Sequence, residues 1–387
     1  MSRLEELIQQ LCPDGAEYKS LEELFDTKNG YTPSKSNPSY WENGTIPWFR
    51  MEDIRENGRI LGEASQYIAE CAVKGKPFPA NSIIVATSAT IGEHALITVP
   101  SLANQRFTYL MLRKQYHTIF DIQFLFYYCF KLDEYCKSNL NQGNFASVDM
   151  KKFAKFKFPL VPLEIQREIV RILDQFTELT AELTAELTAR KKQYEYYKQK
   201  VFAFDTSNTE WTTLSQIADI GTGSSNTNEE LEDGEYPFFV RSQDVRRKNA
   251  FEYDETAIIT SGDGVGVGKI YHYIEGKYAL HQRAYRIHIT DEKVLPRFYF
   301  YYMKSSFLAY IEKASFHSSV TSIRRPMLNN FPVPIPSLEV QRRIVSILDR
   351  FDALCNDLTS GLPAEIEARR KQYEYYRDKL LTFPEKH

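Results

Sequence analysis

The chain has 387 residues, 43% of them hydrophobic, which is enough to bury more than one core, so we expect two or three domains. Its 48 basic and 51 acidic residues give a net charge of −3, which excludes a uniformly basic nucleic-acid-binding domain. Apolar runs long enough to cross a membrane are missing, and the charged start of the chain is unlike a signal peptide. These features predict a cytoplasmic protein.

The cysteines and histidines show no pattern that would bind a metal ion. The five cysteines form no Cys-x-x-Cys pair and have largely apolar neighbours, so we predict reduced, buried thiols. The seven histidines are scattered without metal-ligand spacing. The sequence therefore predicts no metal site and no bound cofactor in this chain.

The first segment of the chain is predicted to be a mixed globular domain. Residues 2–11 predict a short amphipathic helix, in which Ser2 and Glu5 have the spacing of a capping box. From residue 16 to about 158, short apolar runs broken by Gly, Pro and Asn predict strands mixed with helices, including an aromatic helix near 120–137. This mixture indicates an α+β fold.

A long helix is predicted to follow, beginning at Pro162 and ending near residue 203. Apolar residues recur at steps of three and four between Ile165 and Leu187, as in a coiled coil, and the tetrad Thr-Ala-Glu-Leu occurs at 180–183 and again at 184–187. Such an apolar seam requires a partner helix. A second α+β segment and a second helical region follow, and Gly361 and Pro363 predict a break in that second helix.

The two helical regions are copies of one another. The sequence Lys-Gln-Tyr-Glu-Tyr-Tyr occurs at 192–197 and at 371–376, and Ile-Val-x-Ile-Leu-Asp-x-Phe occurs at 169–176 and at 344–351. We therefore predict an internal pseudo-two-fold duplication, in which the two long helices form an antiparallel coiled coil. The predicted parts are a globular domain at 1–158, a helical region at 159–204, a globular domain at 205–335 and a helical region at 336–387.

Two different globular parts separated by a helical rod could read two short DNA sequences a fixed distance apart. In these repeats the chain resembles the specificity subunit of a type I restriction-modification enzyme. The resemblance implies two target recognition domains that read an asymmetric, bipartite DNA target, and no catalysis by the chain itself. It also implies two methyltransferase subunits that use S-adenosylmethionine, and restriction and translocase subunits that use ATP and Mg.

Sequence-specific contacts to DNA need Arg, Lys, Asn or Gln side chains on loops, supported by contacts to phosphates. Polar loops of this kind recur at equivalent places in the two globular segments. The candidates in the first segment are Lys28, Tyr31, Thr32, Lys35, Gln105, Arg106, Asn141, Gln142, Asn144, Lys151 and Lys152. The candidates in the second are Thr222, Ser224, Ser225, Asn226, Gln282, Arg283, Ser319, Thr321, Arg324 and Arg325. For each residue, a solvated turn or a structural contact is the alternative.

The repeated helices cannot distinguish two different half-sites, because their sequences are shared. The resemblance implies that they dock the partner subunits instead, and the candidates for that contact are Gln166, Tyr194, Tyr197, Gln341, Tyr373 and Tyr376. Packing between helices is the alternative role for the tyrosines.

Two short motifs point weakly towards catalysis. Residues 37–40 are similar to the Asn-Pro-Pro-Tyr adenine pocket of methyltransferases, but Ser39 replaces the second proline. Residues 264–269 suggest a phosphate-binding loop, but Ile270 stands where a Ser or Thr is needed, which favours a tight hairpin. A self-contained adenine-specific DNA methyltransferase and a coiled-coil scaffold without a DNA role therefore stay as alternatives.

Overall fold

A computed structural model describes four stretches of the chain, which are residues 3–141, 146–205, 207–314 and 322–386. The chain divides into two compact units. Unit 1 contains Met1–Ala181 and Ala368–His387, and unit 2 contains Glu182–Glu367. Within the four stretches, no helix has both the length and the apolar composition needed to span a bilayer.

Unit 1 begins with the predicted amphipathic helix and continues as a mixture of strands and helices. Its helices before residue 160 are α1 (Arg3–Leu11), α2 (Leu21–Leu24), α3 (Met51–Asn57), α4 (Ile122–Ser138) and α5 (Met150–Ala154). Its strands are β1 (Glu17–Ser20), β2 (Phe25–Asn29), β3 (Ile46–Phe49), β4 (Ile60–Leu61), β5 (Tyr67–Ile68), β6 (Ser82–Ala86), β7 (His94–Ile97), β8 (Leu102–Ala103), β9 (Phe107–Leu112) and β10 (Lys157–Leu160). The aromatic helix predicted near 120–137 is α4. Ser2 of the predicted capping box lies outside the described residues.

The main sheet of unit 1 has the strand order β2-β9-β6-β7-β4, and smaller sheets are formed by β5-β3-β8 and β1-β10. Strand β6 is buried along its whole length because both faces of the sheet are covered. Ile83 and Val85 pack in the core with Phe124 of α4, whereas Ile84 and Ala86 pack in a second core on the other face. The two-residue period of a strand thus divides one apolar run between two cores.

Helix α6 (Leu163–Val201) follows directly and contains 39 residues, about 60 Å at roughly 1.5 Å per residue. It agrees with the predicted helix to within two residues at its C-terminus. The boundary between the two units falls inside this helix, between Ala181 and Glu182.

Most elements of unit 2 have a counterpart in unit 1 in the same chain order, whereas α1 and α3 of unit 1 have no counterpart among the described residues of unit 2. Its strands are β11 (Glu210–Thr213), β12 (Ala218–Thr222), β13 (Tyr236–Phe239), β14 (Arg246–Lys248), β15 (Tyr253–Ser261), β16 (Tyr271–Leu280), β17 (Ala284–Ile289) and β18 (Pro332–Ile335). Its helices are α7 (Leu214–Ile217), α8 (Pro296–Ala314), α9 (Arg325–Asn329) and α10 (Leu338–Asn356), and α11 (Leu362–Leu380) begins in unit 2 and ends in unit 1.

The sheets of the two units share a four-strand arrangement. The order β12-β17-β15-β16 in unit 2 corresponds to β2-β9-β6-β7 in unit 1, and the pair β11-β18 corresponds to β1-β10. Strand β15 also divides its side chains between two cores: Ile258 packs with the aromatic helix α8, whereas Ala257 and Ile259 pack on the other face. The common topology confirms the internal duplication predicted from the helical repeats.

The two copies of the helical repeat pack against each other inside each unit. In unit 2, the rings of Tyr194 and Tyr197 of α6 each lie 5.9 Å from the ring of Phe351 of α10, and Lys191 lies near Cys355. Positions earlier in α6 therefore face positions later in α10, so these helices are antiparallel, as predicted. In unit 1 the ring of Phe176 of α6 stacks on Tyr376 of α11 at 5.6 Å. Each Lys-Gln-Tyr-Glu-Tyr-Tyr segment thus packs on the repeated phenylalanine, Phe351 or Phe176, of the other copy.

The second helical region is interrupted where Gly361 and Pro363 predict a break. The Asp357 carboxylate accepts hydrogen bonds from the backbone N–H groups of Thr359 at 2.7 Å and Ser360 at 3.3 Å, which closes a turn between α10 and α11. A Cβ atom at Gly361 would lie 2.5 Å from the carbonyl oxygen of Ala353. The turn therefore requires glycine at this position.

The prediction that the cysteines are buried is wrong for Cys71, which is exposed, and Cys12 is only partly buried. Cys71 lies in a short 3-10 helix at the surface, where its side chain has no core to enter. Cys129, Cys136 and Cys355 are buried, and all five are free thiols.

Candidate nucleic-acid interface

In unit 1, two of the predicted DNA-contacting residues meet where β2 ends. Gly30 follows this strand and donates a hydrogen bond to the carbonyl of Phe107, and a Cβ atom at Gly30 would lie 2.3 Å from the carbonyl oxygen of Ala103. This close approach of the two loops requires glycine. It lets the Thr32 hydroxyl donate a hydrogen bond to the amide oxygen of Gln105. Gln105 and Arg106 are both exposed beside this contact.

The equivalent edge of unit 2 is built in the same way. Gly223 follows β12, and a Cβ atom there would overlap the carbonyl oxygen of Leu280 at 1.8 Å. The amide of Gln282 donates to the side-chain oxygen of Asn226 at 2.6 Å, and the Gln282 backbone N–H donates to the carbonyl of Ser225 at 3.0 Å. The edge therefore presents an exposed pair of amide side chains where unit 1 presents a hydroxyl and an amide.

The serines of this loop have different environments. Ser225 is buried, because its hydroxyl lies between Glu252 and the ammonium group of Lys248, which is 2.7 Å away. The prediction that Ser225 contacts DNA is therefore wrong, since the residue has no free surface. Ser224 is exposed, and its backbone N–H donates to Glu252 at 2.8 Å. Thr222 is exposed at the end of β12.

The other candidates of the first loop of unit 1 surround Thr32. Lys28 and Lys35 are exposed, and the ammonium group of Lys28 lies 5.8 Å from the ring centre of Phe78. The Tyr31 hydroxyl accepts a hydrogen bond from the backbone N–H of Lys74 at 2.6 Å, and the Lys74 ammonium group covers its ring. Tyr31 is thus held by the protein, whereas the two lysines are accessible.

The third candidate region follows the aromatic helix in each unit. The Asn141 amide donates to the Ser147 hydroxyl and to the Val148 carbonyl, both at 3.1 Å, so this side chain closes its own loop. Lys151 and Lys152 are exposed in α5. Gln142 and Asn144 lie outside the described residues, as do Ser319 and Thr321 in unit 2.

The two arginines after the undescribed stretch of unit 2 differ in their contacts. The Arg325 guanidinium donates to the carbonyl of Ile220 at 2.5 Å, which attaches the start of α9 to β12. Arg324 is exposed at the N-terminus of α9. We therefore regard Arg324 as the better candidate for a DNA contact.

One charged cluster at the unit 2 edge was not among the predicted residues. Asp263 forms ion pairs with Arg241 and with Arg283, and only Arg283 was predicted. Burial, together with the charges of Arg241 and Arg283, lowers the pKa of His281 behind them, so its ring is neutral at pH 7. Arg241 lies two residues after Phe239, whereas Arg50 directly follows Phe49, so the likeness between these two segments gave no residue-by-residue signal for Arg241.

The structure contradicts a partner-binding role for the two repeated glutamines. Gln166 and Gln341 are both fully buried, at 0% exposure. Gln166 accepts from the Asp121 backbone N–H at 2.8 Å and donates to the carbonyls of Ile119 and Val161. Gln341 forms the equivalent bonds to Leu295, Lys293 and Pro336. Each glutamine therefore attaches its helix to a globular part.

The repeated tyrosines divide into a packed set and an exposed pair. Tyr194 is buried on Phe351, and Tyr373 packs between Phe130 and Phe176. Tyr197 and Tyr376 are partly exposed and also pack on Phe351 and Phe176, respectively. Tyr196 and Tyr375 are the most exposed tyrosines of the described repeats, at 58% and 63%. Tyr194 lies seven residues after Leu187, so its place on the seam was readable from the sequence.

The two catalytic motifs form other structures. Asn37 caps a 3-10 helix at Pro38–Tyr40 through a 3.2 Å bond to the Ser39 backbone N–H. The glycines at 264–268 form a turn that leads into strand β16, whereas a phosphate-binding loop leads into a helix. Among the described residues, no three His, Cys, Asp or Glu side chains gather in a way that could hold a metal ion.

Comparisons with known proteins agree with this arrangement. A family described as type I restriction modification DNA specificity domain matches residues 13–190 and 207–368. The chain is 42% identical to the Type I restriction enzyme EcoprrI specificity subunit of Escherichia coli over 93% of each chain. The chain belongs to this specificity family. Each matched range contains one globular α+β part and most of one helical repeat, so the family assignment covers both halves of the duplication.

A further relative is similar in sequence, and two solved structures share the fold. The EcoR124I/EcoR124II specificity subunit of Escherichia coli is 40% identical over 58% of this chain and 61% of its own length. The fold matches a type I restriction-modification S subunit from M. genitalium, with a TM-score of 0.55 at 17% identity, over 95% of this chain and 96% of that one. It also matches a chain from a structure on complex assembly of the type I R-M system, with a TM-score of 0.64 at 18% identity, over 96% and 98%.

Proposed function

We propose that this specificity subunit reads an asymmetric, bipartite DNA sequence, with one half-site read by each globular part. The observation that carries the proposal is that one topology presents different side chains at the same edge. Thr32 and Gln105 meet in unit 1, whereas Asn226 and Gln282 meet in unit 2. Amide groups read adenine through its N6 and N7 atoms, and exposed lysines supply the contacts to phosphates.

In this proposal the chain supplies recognition, and other subunits supply chemistry. Methyl transfer with S-adenosylmethionine belongs to methyltransferase subunits, and cleavage with ATP and Mg belongs to restriction and translocase subunits. The relatives in Escherichia coli are named as specificity subunits of restriction enzymes, which supports this division. The subunit acts where the DNA of the cell lies, in the cytoplasm. The boundaries at 158, 204 and 335 remain our proposal for its domains.

The exposed tyrosines of the repeats support a docking surface for two methyltransferase subunits. Tyr196 and Tyr375 occupy the same position of the two copies and lie beside the partly exposed Tyr197 and Tyr376. Large exposed aromatic side chains are enriched in protein interfaces. Because the two segments have the same sequence, each can bind a copy of the same partner.

Substitution of one exposed tyrosine is expected to weaken the binding of one methyltransferase subunit. Tyr375→Ala should leave a complex with one tightly bound subunit, because the Tyr196 copy of the surface is intact. A loss of about 2 kcal/mol is typical of an aromatic interface residue, which is roughly 30-fold in affinity. Native mass spectrometry of titrated complexes measures the stoichiometry. Ile119→Ala removes an apolar residue that is 39% exposed outside the repeats and should not change it.

The proposed function is tested with the purified complex of this chain and its methyltransferase subunits. Modified adenines are mapped across a host genome with and without the gene, which gives the target. Retention of DNA containing that target should exceed retention of unrelated DNA by about 10³-fold or more and should fall steeply with salt. Equal retention of all DNA would favour the scaffold alternative, and methyl transfer by the isolated chain would favour a self-contained methyltransferase.

A further inference from the structure

The edge of unit 2 contains an open pocket of about 430 Å³ whose lining is almost entirely polar. Its lining residues are Asn226, Thr227, Asn228, Arg241, His281, Gln282 and Arg283. The guanidinium groups come from two separate segments, one after β13 and one between β16 and β17. Two arginines would repel each other in such a small space unless a negative charge lay between them.

Asp263 supplies that charge. Its Oδ1 atom lies 2.6 Å from Nη1 of Arg241, and its Oδ2 atom lies 3.3 Å from Nη1 of Arg283, so each oxygen binds one guanidinium. Partial burial opposes ionisation, but the two arginines outweigh it, and the pKa of Asp263 is lowered. The carboxylate is therefore charged at neutral pH and holds both side chains.

The backbone that carries Asp263 is fixed to the backbone of Arg283 and to that of Ile323. The Gly262 N–H donates to the carbonyl of Arg283 at 2.9 Å, and the Ile323 N–H donates to the carbonyl of Gly262 at 2.8 Å. A Cβ atom at Gly262 would lie 2.5 Å from the Arg283 carbonyl oxygen, so only glycine permits this approach. The Ser261 hydroxyl also binds the Asp263 carbonyl at 2.8 Å. The pair of arginines is thus held in place before any ligand binds.

We propose that Asp263 is a positioning residue that holds Arg241 and Arg283 for contact with a guanine in the second half-site. This inference rests on the proposed function and names the base that this pocket would read. Arginine binds the O6 and N7 atoms of guanine through two parallel donors, which requires a fixed orientation of the guanidinium. The neighbouring amides of Asn226 and Gln282 face the adjoining base pair.

The shared carboxylate favours a base over a phosphate as the ligand. The affinity of a site for phosphate increases with its net positive charge, and the carboxylate of Asp263 lowers that net charge by one unit. The specificity of a site that reads a base increases when its guanidinium groups are held in a fixed orientation, and Asp263 holds them. In unit 1, the exposed lysines Lys28, Lys35, Lys151 and Lys152 form no ion pair among the described contacts, so they suit the phosphate contacts better.

The test uses the full chain assembled with its methyltransferase subunits and DNA containing the mapped target. Each guanine of the second half-site is replaced in turn by 7-deazaguanine, which lacks the N7 acceptor. Binding by the wild-type complex should fall roughly tenfold at one position, and Arg283→Ala should show no further loss there. Asp263→Ala should lose roughly tenfold or more of the discrimination between target and unrelated DNA. The affinity of Asp263→Ala for unrelated DNA should rise, because the freed arginines can bind phosphates. The slope of log affinity against log salt concentration should steepen by about the amount expected for one extra phosphate contact.

Asp26→Ala in unit 1 is the control, because it also removes one carboxylate and frees an arginine, Arg113, whose Nε atom lies 3.0 Å away. It should leave discrimination at the second half-site unchanged. Asp263→Asn, which is less prone to misfold, should retain part of the discrimination. An equal loss of target and unrelated binding in both Asp263 variants would overturn the inference in favour of a phosphate contact or a structural role. Wild-type binding without any sequence preference would instead overturn the proposed function itself.

Discussion

Deletion of residues 184–187 is expected to abolish recognition of the native target and to create recognition of one with a shorter spacer. These residues form the second Thr-Ala-Glu-Leu tetrad and lie within the uninterrupted helix α6. Four residues of α-helix correspond to about 6 Å of length and about 40° of rotation. If α6 sets the separation of the two half-sites, the favoured spacer should shorten by about two base pairs, each about 3.4 Å long.

The effect on the native target should be large. A protein that can engage only one half-site correctly loses several base contacts, each worth about 1–3 kcal/mol. Affinity for the original sequence should thus fall at least 10³-fold. Methylation mapping in a host that carries the deletion variant measures both the lost and the new sites. A variant in which residues 184–187 become Ala-Ala-Lys-Leu keeps the helix length and should retain the native target. An unchanged spacer in the deletion variant would show that α6 does not set it.

Gln166→Ala is expected to destabilise unit 1 while leaving unit 2 intact, and Gln341→Ala should do the reverse. Each glutamine is fully buried and satisfies one backbone N–H and two carbonyls. Truncation leaves these groups without partners in a site that water does not reach. The free energy of unfolding of the affected unit should fall by about 2–4 kcal/mol.

Hydrogen exchange followed by mass spectrometry separates the two units in one experiment. Peptides that contain Asp121 should exchange faster in Gln166→Ala, and peptides that contain Leu295 should exchange faster in Gln341→Ala. Gln10→Ala, at an exposed position of α1, is the control and should leave both units unchanged. If the exchange rates were unchanged and methyltransferase binding became weaker, the glutamines would contact the partner subunits and would not stabilise the fold.

The pairing of loops at the candidate site was only partly predictable. The sequence matched the loop of Thr32 with that of Asn226, and Gln105 with Gln282. Nothing in it showed that Thr32 binds Gln105 or that Asn226 binds Gln282. Ser225 looked like an accessible loop serine, and only the contact with Glu252 and Lys248 showed that it is buried. Asp263 escaped notice because it lies about twenty residues from either arginine that it binds.

By itself the sequence determined the duplication, the long helix, its break at Gly361 and the resemblance to the specificity family, because these depend on local repetition and on helix periodicity. The tertiary structure decided which repeated residues are buried. Gln166 has the same local sequence features as a surface residue, and only its contact with a distant segment, through Asp121, removes it from solvent. Burial is a property of such long-range contacts, which no local pattern specifies.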